Sequence, residues 1–132
     1  MTRDLAQVLG EYVAAWNEPD ADARERLLAV CVADGVVMAP GYAPEAPLIR
    51  GREALSDEIG TMIARRPVGR GFHLTRAGEI DAHHRWARFA WRVVDRDDGV
   101  LTIGGMEISG VDVVHLADDG RLEQIVVFAG DA

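Results

Sequence analysis

Asp112 is the residue of this chain whose surroundings point most clearly to chemistry. It lies inside the apolar run from Ile108 to Leu116, which has the composition of a β-strand. Because moving a charged carboxylate out of water is costly, an Asp there must find a partner, reach water through a cavity, or stay protonated with a raised pKa. Each outcome is typical of a site of proton transfer or ligand recognition. The plain alternative is a structural Asp that faces solvent or bonds a neighbouring strand.

The other reactive side chains form no comparable group. His83 and His84 fall near a predicted turn, and neighbouring strand residues point to opposite faces, so we do not expect them to share a metal ion. His73 and His115 are isolated, and no His joins a Ser or Cys into a nucleophilic triad. Cys31 is the only cysteine, which excludes an internal disulfide and argues against a Cys-based metal site. We therefore expect neither a metal ion nor a cofactor.

Length and charge limit the classes of protein. The 132 residues fit a single domain over 1–132, and the hydrophobic share of 48% is ordinary for a globular chain. A formal net charge of −8 repels phosphate backbones and anionic lipids, so nucleic-acid and membrane partners are not expected. The first residues lack the apolar core of a signal peptide, and no stretch is long enough to span a bilayer. These features predict a cytoplasmic protein.

Helical patterns occupy the first half of the chain. Apolar residues recur at three- and four-residue spacing over 4–17, which predicts an amphipathic helix with Tyr12 on its core-facing side. A second helix is predicted to end at a tight turn at Asp34-Gly35, and a third to run over about 51–66. Helices are therefore expected to precede most of the strands.

Strand patterns follow. After a short strand at 36–38, the sequence predicts an antiparallel meander with strands at 72–80, 86–95, 100–116 and 122–128. The Asp-Gly pairs at 98–99 and 119–120 are strong hairpin signals, and Gly104-Gly105 suggests a bulge or bend that curls the sheet. Three helices against one face of a curled antiparallel sheet make an α+β fold.

The outer face of this sheet also needs cover. Phe89 and Trp91 alternate with Trp86 and Arg88 along one strand, so the first pair should face the helices and the second pair should face away. The last strand is apolar on both faces, and the simplest cover for its outer side is a second copy of the chain in a twofold dimer. The expected interface residues are Trp86, Arg88, Val113 and His115.

Several segments together resemble a known family. They are Tyr12-Val-Ala-Ala-Trp-Asn17, Gly51-Arg-Glu-Ala-Leu55, His83-His84 with Arg88-Phe-Ala-Trp91, and Gly110-Val-Asp112 with Asp119-Gly-Arg-Leu122. The pattern resembles the nuclear transport factor 2-like superfamily and, within it, the SnoaL-like proteins. The resemblance implies a cone of curved sheet that encloses a pocket, is capped by helices, and is usually dimeric through the outer sheet face. The superfamily includes polyketide cyclases, ketosteroid isomerase, dehydratases and epoxide hydrolases, together with binding modules that have no catalytic activity, so the fold alone does not assign a function.

The resemblance extends to individual positions. Tyr12 matches the first-helix tyrosine that ketosteroid isomerases use as a hydroxyl donor to the substrate oxygen, and Asp112 matches the strand aspartic acid that is kept protonated beside it. The general base of those isomerases falls at Ala39, and Ala cannot move a proton. In the SnoaL-like cyclases a single Asp is thought to be the acid/base, and Asp112 is the residue that matches it.

These observations support three hypotheses. The first is an enzyme that uses Asp112 as general acid/base and Tyr12 as donor on an apolar, carbonyl-bearing compound, as a cyclase, isomerase or dehydratase. The second is a pocket that binds such a small molecule without catalysis, and the third is a dimerisation module with a filled interior. For most of the lining candidates the plain alternative is core packing. The pocket-lining candidates are Trp16, Met38, Tyr42, Phe89, Trp91, Met106, Val114 and Phe128.

Overall fold

The computed structural model describes residues 3–41, 45–65, 72–95, 99–100, 102–103 and 106–129. Three helices lie in the first half of this part of the chain, α1 (Leu5–Ala15), α2 (Ala21–Cys31) and α3 (Arg52–Ala64). The strands are β1 (Val32–Ala39), β2 (Ile49–Arg50), β3 (Phe72–His83), β4 (Trp86–Asp95), β5 (Gly99–Val100), β6 (Thr102–Ile103), β7 (Met106–Glu107), β8 (Ser109–Leu116) and β9 (Leu122–Ala129).

Side-chain caps fix the starts of the first two helices. The carboxylate of Asp4 accepts from the backbone N–H of Gln7 at 3.3 Å, and that of Asp20 accepts from the N–H of Ala23 at 2.9 Å. Helix α1 buries the face formed by Val8, Leu9, Tyr12 and Ala15. The predicted amphipathic helix is thereby confirmed, and Tyr12 lies on its buried side.

The main sheet is curved and open, with the strand order β2-β1-β9-β8-β4-β3 and with β5 paired to β4. Most neighbours are antiparallel, as predicted, but β1 runs parallel to β9, so the sheet is mixed. The β8–β9 connection contains Gly120 at φ 89°, a backbone conformation that glycine adopts without strain. The β3–β4 connection turns through His84 and Arg85, which have φ values of 53° and 67°. The predicted turns at these two connections are confirmed, whereas the Asp-Gly turn predicted at 98–99 includes residues outside the described part of the chain.

Two local predictions differ from the structure. Asp34 and Gly35 do not form a tight turn, because α2 passes directly into β1 at Val32 and both residues lie within that strand, where the register with β9 shifts. The predicted strand over 100–116 is divided among β5 to β8, and β6 pairs with β7. The glycine pair at 104–105, to which we assigned a bend, lies outside the described residues.

The core lies between the three helices and one face of the sheet. Helices α1, α2 and α3 supply Leu9, Leu28 and Ile59, and the sheet supplies Phe89 and Ile125, all of them 2% exposed or less. Contacts between these layers define an α+β fold with the helices on one face. Among the described residues, the helices are not long and apolar enough to cross a membrane.

Candidate active site

The strand register places Asp112 on the helix-facing side of the sheet. It lies opposite Phe89 of β4 and Val127 of β9, and paired residues in antiparallel strands share a face. Asp112 is 5% exposed and Phe89 is 2% exposed. The carboxyl group therefore points into the protein rather than to solvent, as the first hypothesis requires.

A hydrogen bond from Trp91 reaches the buried carboxyl group. The indole Nε1–H of Trp91 donates to Oδ1 of Asp112 at 2.9 Å. Burial raises the pKa of Asp112 to about 7, and the indole bond acts in the opposite direction because it stabilises the carboxylate. Burial therefore moves the titration of Asp112 from the acidic range towards neutral pH.

Charge neutralisation does not explain how Asp112 is accommodated. The ion pairs of the described residues join arginines, and in one case His115, to other carboxylates, for example Arg88 to Asp81 at 3.1 Å and Arg121 to Asp119 at 2.8 Å. Asp112 takes part in none of these described ion pairs. A carboxyl without a cation in an apolar interior can move a proton at neutral pH, which a salt-bridged carboxylate cannot do.

Tyr12 faces the same interior from α1. Its side chain is 1% exposed, and its hydroxyl donates to the sulfur of Met38 at 3.9 Å. The pKa of Tyr12 lies well above its usual value, first because the phenol is buried and second because a charge on Asp112 disfavours a phenolate beside it. A hydrogen bond with Trp16 acts the other way. Tyr12 and Asp112 therefore influence each other electrostatically within the same interior. Their convergence on one ligand stays a prediction.

Most of the other lining candidates lie on the inner side. Met38, Phe89 and Val114 are buried, while Trp16 and Trp91 are partly buried and pack against the core. Tyr42 and the side chain of Met106 lie outside the described residues. That these buried candidates line a pocket, rather than only pack the core, stays a prediction.

The placement of Phe128 among the lining residues is wrong. It is 57% exposed and pairs with Val111, one position from Asp112 and therefore on the outer face. A register shift between His115 and Leu116 leaves Glu123 unpaired, so the inside-outside alternation of β9 changes phase after Leu122. Strict alternation from Leu122 cannot reveal such a bulge.

The four candidate interface residues lie together on the outer face of the sheet. Trp86 is 42% exposed, and its ring lies 4.5 Å from the ring of His115, centroid to centroid. Arg88 pairs with Val113 across the strands, and the side chain of Arg88 is 67% exposed. His115 also contacts Glu123, with 2.6 Å between Nδ1 and Oε1. These positions form one continuous surface.

A surface depression of about 270 Å³ lies elsewhere, beside α1 and α2. Its walls are Arg3, Asp4, Gln7, Val8, Glu11 and Val30. It includes neither Asp112 nor Tyr12, so it is not the pocket that the sequence predicts.

Sequence reasoning missed the contribution of Gly110. Trp91 lies opposite Gly110 in the β4–β8 register, and a Cβ at this position would lie 2.4 Å from Cζ2 of Trp91. The indole occupies the space that a side chain would fill. The spacing Gly110-Val-Asp112 was the available signal, because residues two apart on a strand share a face.

Solved structures with the same fold support a common architecture. A candidate isomerase of the SnoaL-like family from Agrobacterium tumefaciens is 26% identical and has a TM-score of 0.76, with 96% of this chain and 97% of that chain covered. A candidate polyketide cyclase from Sinorhizobium meliloti is 16% identical, with a TM-score of 0.61 and coverage of 92% and 93%. A steroid delta-isomerase from Pseudomonas aeruginosa is 17% identical, with a TM-score of 0.62 and coverage of 96% and 80%. No family model matches the sequence, and no curated protein matches it either.

The fold and these comparisons define the class of protein. The chain has the α+β architecture of the nuclear transport factor 2-like superfamily, with three helices on a curved, open sheet. Within that superfamily it is similar to the SnoaL-like family through the 26% identical structure from Agrobacterium tumefaciens. The resemblance inferred from the sequence is confirmed at this level.

Proposed function

We propose that this protein binds an apolar, carbonyl-bearing small molecule and acts on it by acid/base chemistry. Asp112 is the general acid/base, and the hydroxyl of Tyr12 is the hydrogen-bond donor to the carbonyl oxygen. The observation that carries the proposal is the inward-facing Asp112, which is 5% exposed, hydrogen-bonded by Trp91 and has a pKa of about 7.

A pKa near neutrality suits proton transfer in both directions. A carboxyl group with an ordinary pKa is ionised at pH 7 and is a poor acid, whereas one with a pKa of about 7 exists in both forms. Asp112 can accordingly give a proton to an oxygen or take one from a carbon next to a carbonyl. Since Ala39 occupies the position of the isomerase base, the proposal assigns both steps to Asp112.

The partner of Tyr12 leaves its hydroxyl available to a ligand. The proton is directed to the sulfur of Met38 at 3.9 Å, and a thioether is a weak acceptor. A ligand carbonyl that replaced this sulfur would form a stronger hydrogen bond. Because the pKa of Tyr12 is raised, the phenol keeps its proton and acts as a donor rather than as a base.

The reaction class follows from what two such groups can do. A donor on the carbonyl oxygen and an acid/base next to it promote enolisation, which is a step of isomerisation, aldol-type cyclisation and dehydration. The names of the similar proteins from Agrobacterium, Sinorhizobium and Pseudomonas include an isomerase and a cyclase. The chemistry proposed here belongs to the same range.

A protein that binds the same ligand without converting it is the second candidate. The buried apolar residues around Asp112 favour it as much as they favour an enzyme, because an apolar site with few polar groups is typical of ligand binding. The two functions differ in one respect. Only the enzyme requires that Asp112 exchange protons with the ligand.

A matched pair of ligands tests the proposed function. Thermal denaturation is measured with α-tetralone and with tetralin, a hydrocarbon of the same shape that lacks the carbonyl oxygen. The ketone should raise the melting temperature more than the hydrocarbon does, and this difference should disappear in Tyr12→Phe. Exchange of the ketone's α-hydrogens for deuterium, followed by NMR, should occur with the wild-type protein and be lost in Asp112→Asn.

The two measurements separate the candidates. Discrimination in favour of the ketone without hydrogen exchange leaves a binding protein and removes catalysis by Asp112 on this compound class. Equal shifts for ketone and hydrocarbon, or no shift with either, overturn the proposed recognition of a carbonyl group.

The outer face supports a second copy of the chain as partner. Val111, Val113, Val126 and Phe128 form an apolar patch in the β8–β9 ladder, next to the half-exposed Trp86. We propose that this patch, which we call the outer patch, closes a twofold homodimer, because the same surface on two copies is self-complementary. Cytoplasmic residence stays a prediction, which fractionation of cells that express the tagged chain would test.

A further inference from the structure

The position of the Trp91 indole depends on the absence of a side chain at residue 110. Trp91 lies directly opposite Gly110, while Asp112 is two residues further along β8 on the same face. Diagonal neighbours in a sheet are about 7–8 Å apart between Cα atoms, so the indole must lean across position 110 to reach the carboxyl group. A Cβ there would overlap Cζ2 of the indole, and it would lie 2.5 Å from the backbone carbonyl oxygen of Phe128 and 2.8 Å from Cε2 of the indole.

The resulting contact is specific to one oxygen of the carboxyl group. The indole Nε1–H is a donor only, and it donates to Oδ1 at 2.9 Å. A proton on Oδ1 would compete with the indole for this geometry, so the bond favours protonation on Oδ2. The two oxygens of Asp112 are therefore not equivalent.

We propose that Trp91, held in place across Gly110, is a positioning residue that fixes Oδ1 of Asp112 and leaves Oδ2 as the oxygen that exchanges a proton with the ligand. The inference rests on the proposed function and deepens it by assigning the reacting atom. Together with the close approach of the Phe128 carbonyl oxygen, it accounts for the glycine that β8 carries where its neighbours on the inner face carry side chains. The indole bond favours the carboxylate, so it keeps Asp112 able to ionise despite its burial.

Isotope-edited NMR of the indole N–H groups tests the contact without any ligand. The chain has three Trp residues, and Trp→Phe variants assign their signals. The Trp91 signal should titrate with a midpoint near the Asp112 pKa of about 7 and should cease to do so in Asp112→Asn. The proposal is overturned if the Trp91 signal does not titrate, or if it titrates in the same way in Asp112→Asn.

Two substitutions test the positioning role. Loss of a hydrogen bond to a charged group in Trp91→Phe should raise the Asp112 pKa by about one to two pH units, as read from its carboxyl carbon signal. Trp86→Phe is the matched control, because it makes the same change on the opposite face of the same strand, and it should leave the Asp112 pKa in place. An unchanged Asp112 pKa in Trp91→Phe would refute the role.

Gly110→Ala is a second, less selective route to the same loss, because its Cβ would displace the indole and also press on the backbone carbonyl of Phe128. If Gly110→Ala fails to fold, Trp91→Phe still decides. If the Trp91 signal titrates with Asp112 but the protein does not discriminate between tetralone and tetralin, the Trp91–Asp112 contact stands and the proposed function is refuted. If Trp91→Phe still discriminates between the two compounds and exchanges hydrogen at an unchanged rate, only the positioning role of Trp91 is refuted and the proposed function stands.

Discussion

Asp112 lies directly opposite Phe89 in the β4–β8 ladder, so a carboxyl group and a phenyl ring share one buried face of the sheet. An ionised carboxylate beside an apolar ring loses the solvation that water would give it. Burial among such apolar groups is the physical origin of the raised pKa of Asp112, because desolvation is its largest cause. The stability of the protein should therefore depend on the protonation of Asp112.

The first prediction concerns stability as a function of pH. Burial raises the pKa of Asp112 from 3.8 in the unfolded chain to about 7 in the folded one, so the folded state holds its proton more tightly. Between these values the unfolded chain ionises first, and the contribution of Asp112 to stability is lost as pH rises. Residue 112 does not titrate in Asp112→Asn. The free energy of unfolding of this variant should therefore rise relative to that of the wild type across this window, by up to about 4 kcal/mol above pH 7.

Chemical denaturation of both proteins at about pH 5 and pH 8 measures this gain. The difference in free energy of unfolding should grow from the lower to the higher pH. Asp118→Asn is a suitable control, because the side chain of Asp118 is 91% exposed and it should give a difference that does not grow in this way. A constant difference between wild type and Asp112→Asn would mean that the carboxyl group is not desolvated.

The second prediction concerns Tyr12. Tyr12→Phe removes a hydroxyl whose acceptor is a thioether, so it should change the free energy of unfolding by no more than about 1 kcal/mol. The same change should weaken binding of α-tetralone by about tenfold, which is the effect of one lost hydrogen bond of about 1.4 kcal/mol. Titration calorimetry measures the affinity, and tetralin should bind both proteins equally. Equal ketone affinity for the two proteins would remove Tyr12 from recognition.

The third prediction concerns the outer patch. Phe128→Glu places a charge on a side chain that is 57% exposed at the centre of the proposed interface, and a charge buried there without a partner should split the dimer. Light scattering after size-exclusion chromatography should report a dimeric mass for the wild type and a monomeric mass for the variant.

Val30 provides the control for this experiment. It is 42% exposed on α2, and Val30→Glu introduces the same charge on the helical layer, away from the outer patch. It should leave the dimer intact. A monomeric wild type, or a Phe128→Glu variant that stays dimeric, would contradict the assignment of this face.

The sequence predicted the elements well where the local signals are strong. The spacing of Val8, Leu9 and Tyr12 in α1 and the Asp-Gly turn before β9 specify structure over a few residues, and the structure confirms both. The parallel pairing of β1 with β9 could not be predicted in this way. It joins strands that lie more than 80 residues apart in the sequence, and no local sequence pattern indicates such a pairing.

In the candidate site, too, local features could be predicted from the sequence and long-range contacts could not. The inward direction of Asp112 could be inferred from an apolar strand around a single carboxylate. The contact from Trp91 could not, because it depends on the β4–β8 register and on the empty Cβ position at Gly110. The error at Phe128 has a similar cause, since one unpaired residue in β9 reverses the alternation beyond it.

The titration of the Asp112 carboxyl carbon, followed by isotope-edited NMR and assigned by its loss in Asp112→Asn, tests the central claim most directly. A midpoint near pH 7 is expected, because the acid is buried and takes part in none of the ion pairs of the described residues. A midpoint at or below about 4, the ordinary value for a solvated Asp, would contradict it and leave the superfamily's scaffold without the proposed acid.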